Sequence, residues 1–156
     1  APALLSALDT YLFAEKVKLA DTTAAYAPLT LCGPLAPDVV RRATGLEVPS
    51  DDHAWIRGRS GDLELFIARV PVAGAPGCLV DAGSEAAPKL WTRMCEAGAR
   101  PAGIVVRDIL RIESGQALYG EDVDENVYPQ EARLEDAFSL TKGCFIGQEV
   151  VAKIDT

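Results

Sequence analysis

Residues 54–70 contain the pattern that most restricts how this chain can fold. A turn-like Arg-Ser-Gly-Asp stretch at residues 59–62 is followed by Leu63, Leu65 and Ile67 at every second position. Successive side chains of a strand point to opposite faces of a sheet, so this spacing places the three apolar residues on one face. The segment therefore predicts a β-hairpin with one buried face.

Apolar runs and helical spacings alternate on both sides of this hairpin. Short apolar runs predict three further strands, at residues 17–20, 28–31 and 78–82. Spacings of three and four predict two helices, one at residues 37–44 that ends at Gly45, and one from residue 84 to Gly98 with a core face of Leu90, Trp91, Met94 and Cys95. The predicted fold is α+β: a mostly antiparallel sheet with packed helices.

Residues 104–113 have the spacing of an amphipathic helix. If this segment is helical, its apolar residues form one stripe and Arg111 faces the other way. Glu113 then falls within the apolar stripe, where a carboxylate is costly unless it is paired or hydrogen-bonded. The alternative is that the helix ends before Glu113 and leaves this carboxylate at a solvated terminus.

The charge balance restricts the classes of partner. The chain has 23 acidic and 15 basic residues and a net charge of −8, which argues against nonspecific binding of nucleic acid. The sequence contains no run of eighteen apolar residues and no signal-peptide pattern, so a cytoplasmic protein without a membrane span is predicted. The four cysteines have no C-x-x-C spacing and His53 is the one histidine, so no metal site is predicted.

The octapeptide at residues 142–149 places a thiol in an unusual setting. Cys144 lies between two glycines, close to Lys142 and just before a segment that could begin a helix. An ammonium group and the free amides of a helix start both stabilise negative charge, which favours the thiolate. The alternative is that Cys144 is a small buried hydrophobe, as free cysteines usually are.

This octapeptide, Lys-Gly-Cys-Phe-Ile-Gly-Gln-Glu, resembles the signature of the YgfZ-type folate-binding proteins, which are relatives of the glycine-cleavage T-protein (aminomethyltransferase). Four further stretches are similar to segments of that family, at residues 11–22, 110–115, 119–124 and 129–132. The resemblance implies that residues 1–100 form a preceding helix and a ferredoxin-like α+β subdomain. It implies that residues 101–156 belong to the folate-binding domain.

The resemblance also implies the functional residues. By similarity to the T-protein, the carboxylate of Glu113 would accept the paired donors of a pterin ring, with Arg111, Tyr119 and Gln148 as further contacts to tetrahydrofolate. Cys144 would be the functional thiol, assisted by Lys142. Family members carry a segment before residue 11 and a β-rich domain after the octapeptide, so the chain is expected to be a fragment that lacks part of the folate site.

Two functions follow from this resemblance. The first is a folate-binding accessory protein that supports assembly or repair of iron–sulfur clusters, with iron–sulfur client enzymes or assembly proteins as partners and an indirect link to tRNA modification. Since one thiolate cannot hold a stable cluster, any cluster contact would be transient or shared. The alternative is a tetrahydrofolate-dependent aminomethyltransferase, in which folate accepts a one-carbon unit from a lipoyl arm.

Overall fold

The fold is built on a four-stranded antiparallel sheet. The computed structural model describes residues 2–14, 16–145 and 147–154, so Glu15 and Ile146, both part of the family resemblance, lie outside the described residues. The strands are β1 (Leu29–Cys32), β2 (Trp55–Ser60), β3 (Leu63–Arg69) and β4 (Gly77–Asp81). Their order in the sheet is β1-β4-β3-β2, and every neighbouring pair is antiparallel.

The predicted hairpin is confirmed as β2 and β3. Ser60 pairs with Leu63 and Trp55 with Ala68, and Gly61 takes the positive φ that the turn between the strands requires. Leu63, Leu65 and Ile67 are buried, as their alternation predicts. The strand predicted at residues 28–31 is present as β1, and that at residues 78–82 as β4.

Two helices cover one face of the sheet. Helix α2 (Ala36–Thr44) has a proline in its first turn and ends at Gly45, whose left-handed conformation lets its amide bond the carbonyl of Arg41. Helix α3 (Ala87–Glu96) buries Leu90 and Met94. The core cluster combines these helices with the sheet through side chains that are at most 9% exposed: Leu31, Ala36, Val39, Val40, Leu63, Leu65, Ile67, Cys78, Val80, Leu90 and Met94.

The remaining helices stand apart from this core. They are α1 (Pro2–Asp9), α4 (Ile104–Glu113) and α5 (Gln148–Ile154). Between α4 and α5 the described residues form turns, an isolated bridge between Tyr119 and Val123, and a short 3-10 helix at Glu135–Ala137. The α+β class is therefore confirmed, with the sheet and the two packed helices confined to residues 29–96.

Three sequence predictions about burial and extension are wrong. Residues 17–20 do not form a strand, because no strand of the described sheet pairs with them through backbone hydrogen bonds. Trp91 lies on the open side of α3 and is 48% exposed. The apolar stripe of α4 faces solvent rather than core, with Ile109 at 51% and Ile112 at 61% exposed, and the core cluster contains no residue of α4.

Candidate functional site

The described residues of the octapeptide form a turn that leads into α5, whose first two residues are Gln148 and Glu149. The amide of Phe145 donates to Oε1 of Gln148 at 3.0 Å, and the Lys142 ammonium lies 4.6 Å from the centroid of the Phe145 ring. Cys144 is exposed. An open cavity of about 560 Å³ is lined by Cys144, Phe145, Gln148 and neighbouring residues of α5. The arrangement leaves the thiol reachable and uses Lys142 and Gln148 to shape the turn around it.

The four thiols differ in access. Cys78, on β4, is fully buried, and desolvation raises its pKa, although Arg69 opposes this effect. Cys32 is exposed, with its Sγ 3.3 Å from the carbonyl oxygen of Val72. Since the thiolate is the reactive form, burial and a raised pKa both protect Cys78.

We expect iodoacetamide at neutral pH to modify Cys144 and Cys32 at least about a hundredfold faster than Cys78, because only a transient opening exposes a fully buried thiol. Mass spectrometry of peptides after timed quenching measures the rates. A Cys144→Ser variant is the control that assigns the fast site. Protection of Cys144 equal to that of Cys78 would mean that its exposure does not persist in solution.

Glu113 is the last residue of α4, and the structure places it in solvent. The helix runs to Glu113, so the helical interpretation of residues 104–113 is confirmed. Its side chain is exposed, as are the apolar side chains of the α4 stripe to which it belongs. Gly115 follows with a positive φ of 71° and ends the helix. The carboxylate stands at a helix terminus, where a ligand could approach it.

Arg111 is the one residue of α4 that is buried. Its side chain is 8% exposed and contacts three carboxylates: Asp108 at 2.5 Å, Glu121 at 3.3 Å, and Asp122. Hydrogen bonding from the Leu118 amide first, and the nearby Arg111 guanidinium as well, hold the pKa of Asp122 below its usual range. Arg111 therefore binds the segment that follows α4 to the helix, and its guanidinium is occupied by protein groups.

Tyr119 lies in this bound segment. Its ring is 69% exposed, and its hydroxyl donates to Glu125 Oε2 at 3.0 Å. That hydrogen bond, together with the negative charge of Glu125, raises the pKa of the Tyr119 phenol. The hydroxyl is committed to Glu125, and the faces of the ring remain open.

The predicted site residues thus form two groups. Arg111 and Glu113 lie in the last turn of α4 and Tyr119 in the segment after it, while Lys142 and Cys144 precede α5 and Gln148 is its first residue. In the described part of the chain, no hydrogen bond or ion pair joins the two groups. Each role suggested from sequence stays a prediction.

Sequence analysis missed a contact beside Glu113. Gly74, in the loop between β3 and β4, has a positive φ of 73° and lies so close to Ser114 that a Cβ at residue 74 would overlap the Ser114 Cβ. Ser114 is also held by its hydroxyl, which donates to the carbonyl of Arg111 at 2.9 Å. The Gly-rich stretch at residues 71–77 was the available signal, because glycine often marks a close backbone approach.

Within residues 2–14, 16–145 and 147–154, no three His, Cys, Asp or Glu side chains are grouped so that they could hold a metal ion. Over the same residues, no helix has both the length and the apolar character needed to cross a membrane.

Comparison with known proteins gives consistent matches. The model of the family described as "GCVT N-terminal domain" matches residues 2–142. A protein named aminomethyltransferase from Chlorobium phaeobacteroides is 35% identical over 151 residues, which cover 90% of this chain and 40% of that protein. A protein of the same name from Chlorobium luteolum is 37% identical over 90% of this chain and 40% of its own length. Another from Stenotrophomonas maltophilia is 38% identical over 79% of this chain and 35% of its own length.

These matches correct one sequence-based expectation. The relatives are named for aminomethyl transfer. The expected iron–sulfur accessory role is therefore wrong, and the alternative expected from the same resemblance agrees with the names of the relatives. The chain spans about 40% of the length of these curated relatives.

Proposed function

Because the chain belongs to the GCVT N-terminal domain family, we propose that it forms the tetrahydrofolate-binding part of a one-carbon transferase of the aminomethyltransferase type. The observation that carries the proposal is the identity of 35 to 38% to proteins of that name. Tetrahydrofolate would accept the carbon of an aminomethyl group. We propose the same reaction, substrate and partners for the whole protein of which this chain forms the folate-binding part.

Glu113 is the best candidate for the pterin contact. A pterin presents a ring N–H beside an amino group, and one carboxylate can accept both hydrogen bonds. The Glu113 carboxylate is exposed, and within the described residues no hydrogen bond or ion pair engages it. Its neighbour Ser114 packs against Gly74, which limits the movement of the backbone that carries the carboxylate.

Arg111 and Tyr119 support the proposed role of Glu113 in different ways. Arg111 acts through its carboxylate contacts, since these fix the segment at residues 116–122 beside the end of α4. Tyr119 stands in that segment with an exposed ring, which offers an aromatic surface for a flat ligand. We propose Tyr119 as a ring contact and Arg111 as a positioning residue.

The octapeptide supports a finer assignment within the family, to the YgfZ-type members. On that proposal Cys144 is an accessible thiol, and Lys142 and Gln148 set its position through Phe145. We also propose that the chain divides into a ferredoxin-like unit within residues 1–100 and part of the folate-binding domain at residues 101–156.

Replacing Glu113 by glutamine should weaken tetrahydrofolate binding by about 1 to 3 kcal/mol, the usual effect of losing a charged hydrogen-bond acceptor. Calorimetric titration of the protein under anaerobic conditions measures it. Glu96→Gln is the matched control, because Glu96 is also the exposed last residue of a ten-residue helix. Equal affinity in Glu113→Gln and the unmodified protein would remove Glu113 from the folate site.

The reaction itself is tested by supplying a protein with an aminomethyl-bearing lipoyl arm together with tetrahydrofolate. Formation of a one-carbon tetrahydrofolate supports the proposed transferase. If the protein binds tetrahydrofolate but gives no product with any such donor, it binds folate without catalysing this transfer. The proposed transferase activity is then wrong.

A further inference from the structure

The face of the sheet away from the helices has a second cluster of functional side chains. In the strand register, Arg57 of β2 lies opposite Phe66 of β3, and Phe66 lies opposite Asp81 of β4. Because Leu65, Ile67 and Val80 alternate with these residues and point into the core, the three side chains share the open face. They form one row across three strands, with a cation at one end, a ring in the middle and a carboxylate at the other end.

Aromatic side chains extend this row. Trp55 is 58% exposed, and its ring lies 5.5 Å from that of Phe66 with an interplanar angle of 31°. The Arg57 guanidinium lies 6.0 Å from the Trp55 ring centroid. Arg59, two residues along the same strand, adds a second cation, which is only loosely paired with Glu64 at 4.0 Å. Exposed tryptophan beside arginine is typical of binding surfaces.

The carboxylate end of the row is enclosed. Asp81 is 8% exposed, and its Oδ1 accepts a hydrogen bond from the Gly83 amide at 3.0 Å. Within the described residues this is the one hydrogen bond that its carboxylate receives. The Ser84 amide donates to the Ala25 carbonyl at 3.0 Å, and this contact brings Tyr26 to the same edge. A cavity of about 620 Å³ is lined by Tyr26, Arg57, Phe66 and Asp81, among others.

A carboxylate that is nine-tenths buried and receives one hydrogen bond can accept more. A ring N–H beside an amino group supplies a donor pair that fits one carboxylate. Two strand spacings separate Asp81 from Arg57, which is roughly 10 Å, so a flat ligand over Phe66 could reach both. An anionic far end would be attracted by the exposed guanidinium groups of Arg57 and Arg59.

We propose that this open-face cavity binds a heteroaromatic ring that contains a 2-amino-4-oxopyrimidine unit and carries an anionic tail. The donor edge of the ring meets Asp81, its face lies on Phe66, and the tail meets Arg57 and Arg59. Guanine nucleotides and reduced pterins with a glutamate tail share this chemistry. The net charge of −8 favours a single small ligand over a nucleic acid strand. The cavity is formed by residues other than Glu113, so the inference goes beyond the proposed function.

The test uses Trp55 as the reporter. The chain has two tryptophans, so Trp91→Phe leaves Trp55 as the only one. In this background GMP, AMP and 5-formyltetrahydrofolate are titrated by tryptophan fluorescence, corrected for absorption, and by calorimetry. AMP is the matched control, because it has the same tail as GMP but lacks the donor pair. We expect GMP or the folate to quench Trp55 and to bind at least about tenfold more tightly than AMP.

Variants assign the contacts. Arg57→Gln should raise the Kd of every bound probe about tenfold or more, while Asp81→Asn should abolish the preference for GMP over AMP. Arg41→Gln, on α2 across the sheet, should leave the Kd unchanged. Phe66→Leu is a second test in case Asp81→Asn does not fold. It keeps an apolar side chain but removes the aromatic ring, so it should weaken binding. Circular dichroism checks that each variant is folded.

Several outcomes would overturn the inference: no quenching by GMP or the folate, equal affinity for AMP, or an unchanged Kd in Arg57→Gln. Quenching by the folate alone identifies a pterin ligand, and quenching by GMP identifies a nucleotide. Glu113→Gln separates the two proposals, because it should weaken folate binding at α4 and leave the quenching of Trp55 unchanged.

Discussion

Replacing Ile67 by alanine is expected to lower the free energy of unfolding by about 2 to 5 kcal/mol, the range for removing a large buried aliphatic side chain. Ile67 is fully buried on β3, which has a hydrogen-bonded neighbour on both sides. Its partners in the register are Ile56 and Val80, so the cavity opens at the centre of the sheet. Urea unfolding followed by circular dichroism measures the change.

Ile109→Ala is the matched control, since it makes the same chemical change on the exposed stripe of α4. It should alter the free energy of unfolding by no more than about 0.5 kcal/mol, as surface substitutions usually do. A loss from Ile109→Ala as large as that from Ile67→Ala would mean that the α4 stripe is buried in solution.

Replacing Gly74 by alanine should lower the free energy of unfolding by about 2 to 5 kcal/mol. The left-handed backbone at Gly74 costs an alanine about 1 to 2 kcal/mol. The overlap of the new Cβ with Ser114 adds about 1 to 3 kcal/mol of overpacking. The same unfolding experiment measures the sum.

Gly61→Ala measures the backbone strain without the overlap. Gly61 has a similar positive φ of 65°, but a Cβ there would meet no atom within 4 Å. Its loss should therefore reflect backbone strain alone, about 1 to 2 kcal/mol. Combining Gly74→Ala with Ser114→Gly should recover the overlap energy in a double-mutant cycle. Equal losses at Gly74 and Gly61, with no coupling to Ser114, would contradict the close approach.

The local pattern sufficed to predict the β2–β3 hairpin and the end of α2. The alternation at residues 63–67 and the glycine at residue 61 act through strand geometry and turn geometry, which neighbouring residues determine. Gly45 likewise ended α2 for a local reason, its left-handed conformation. These elements were predictable because their signals lie within a few residues of the structure they specify.

Burial of α4 and α3 was less predictable. Periodicity shows that a helix has an apolar side, but it does not show what covers that side. The α4 stripe meets no described partner in the core, and Trp91 lies at the border of the α3 face rather than at its centre. Which face of a helix is covered depends on distant segments.

The candidate site shows the same division. That Glu113 ends a helix, and that Cys144 precedes one, could be inferred from local spacing. The contact between Gly74 and Ser114 joins residues forty positions apart, and the row of Arg57, Phe66 and Asp81 depends on strand order. Local spacing predicted the first pair of features, whereas the second pair depends on contacts between segments that are distant in the sequence.

The solvent-facing stripe of α4 also affects how the molecule would behave in dye assays. Anilinonaphthalene sulfonate fluoresces on apolar surface, and its binding is often read as a sign of a loosened, molten core. Ile104, Val105 and Ile109 already offer such surface in the native fold. Fluorescence from this dye at room temperature would therefore report the native helix, and a melting curve recorded with it would start from a high baseline.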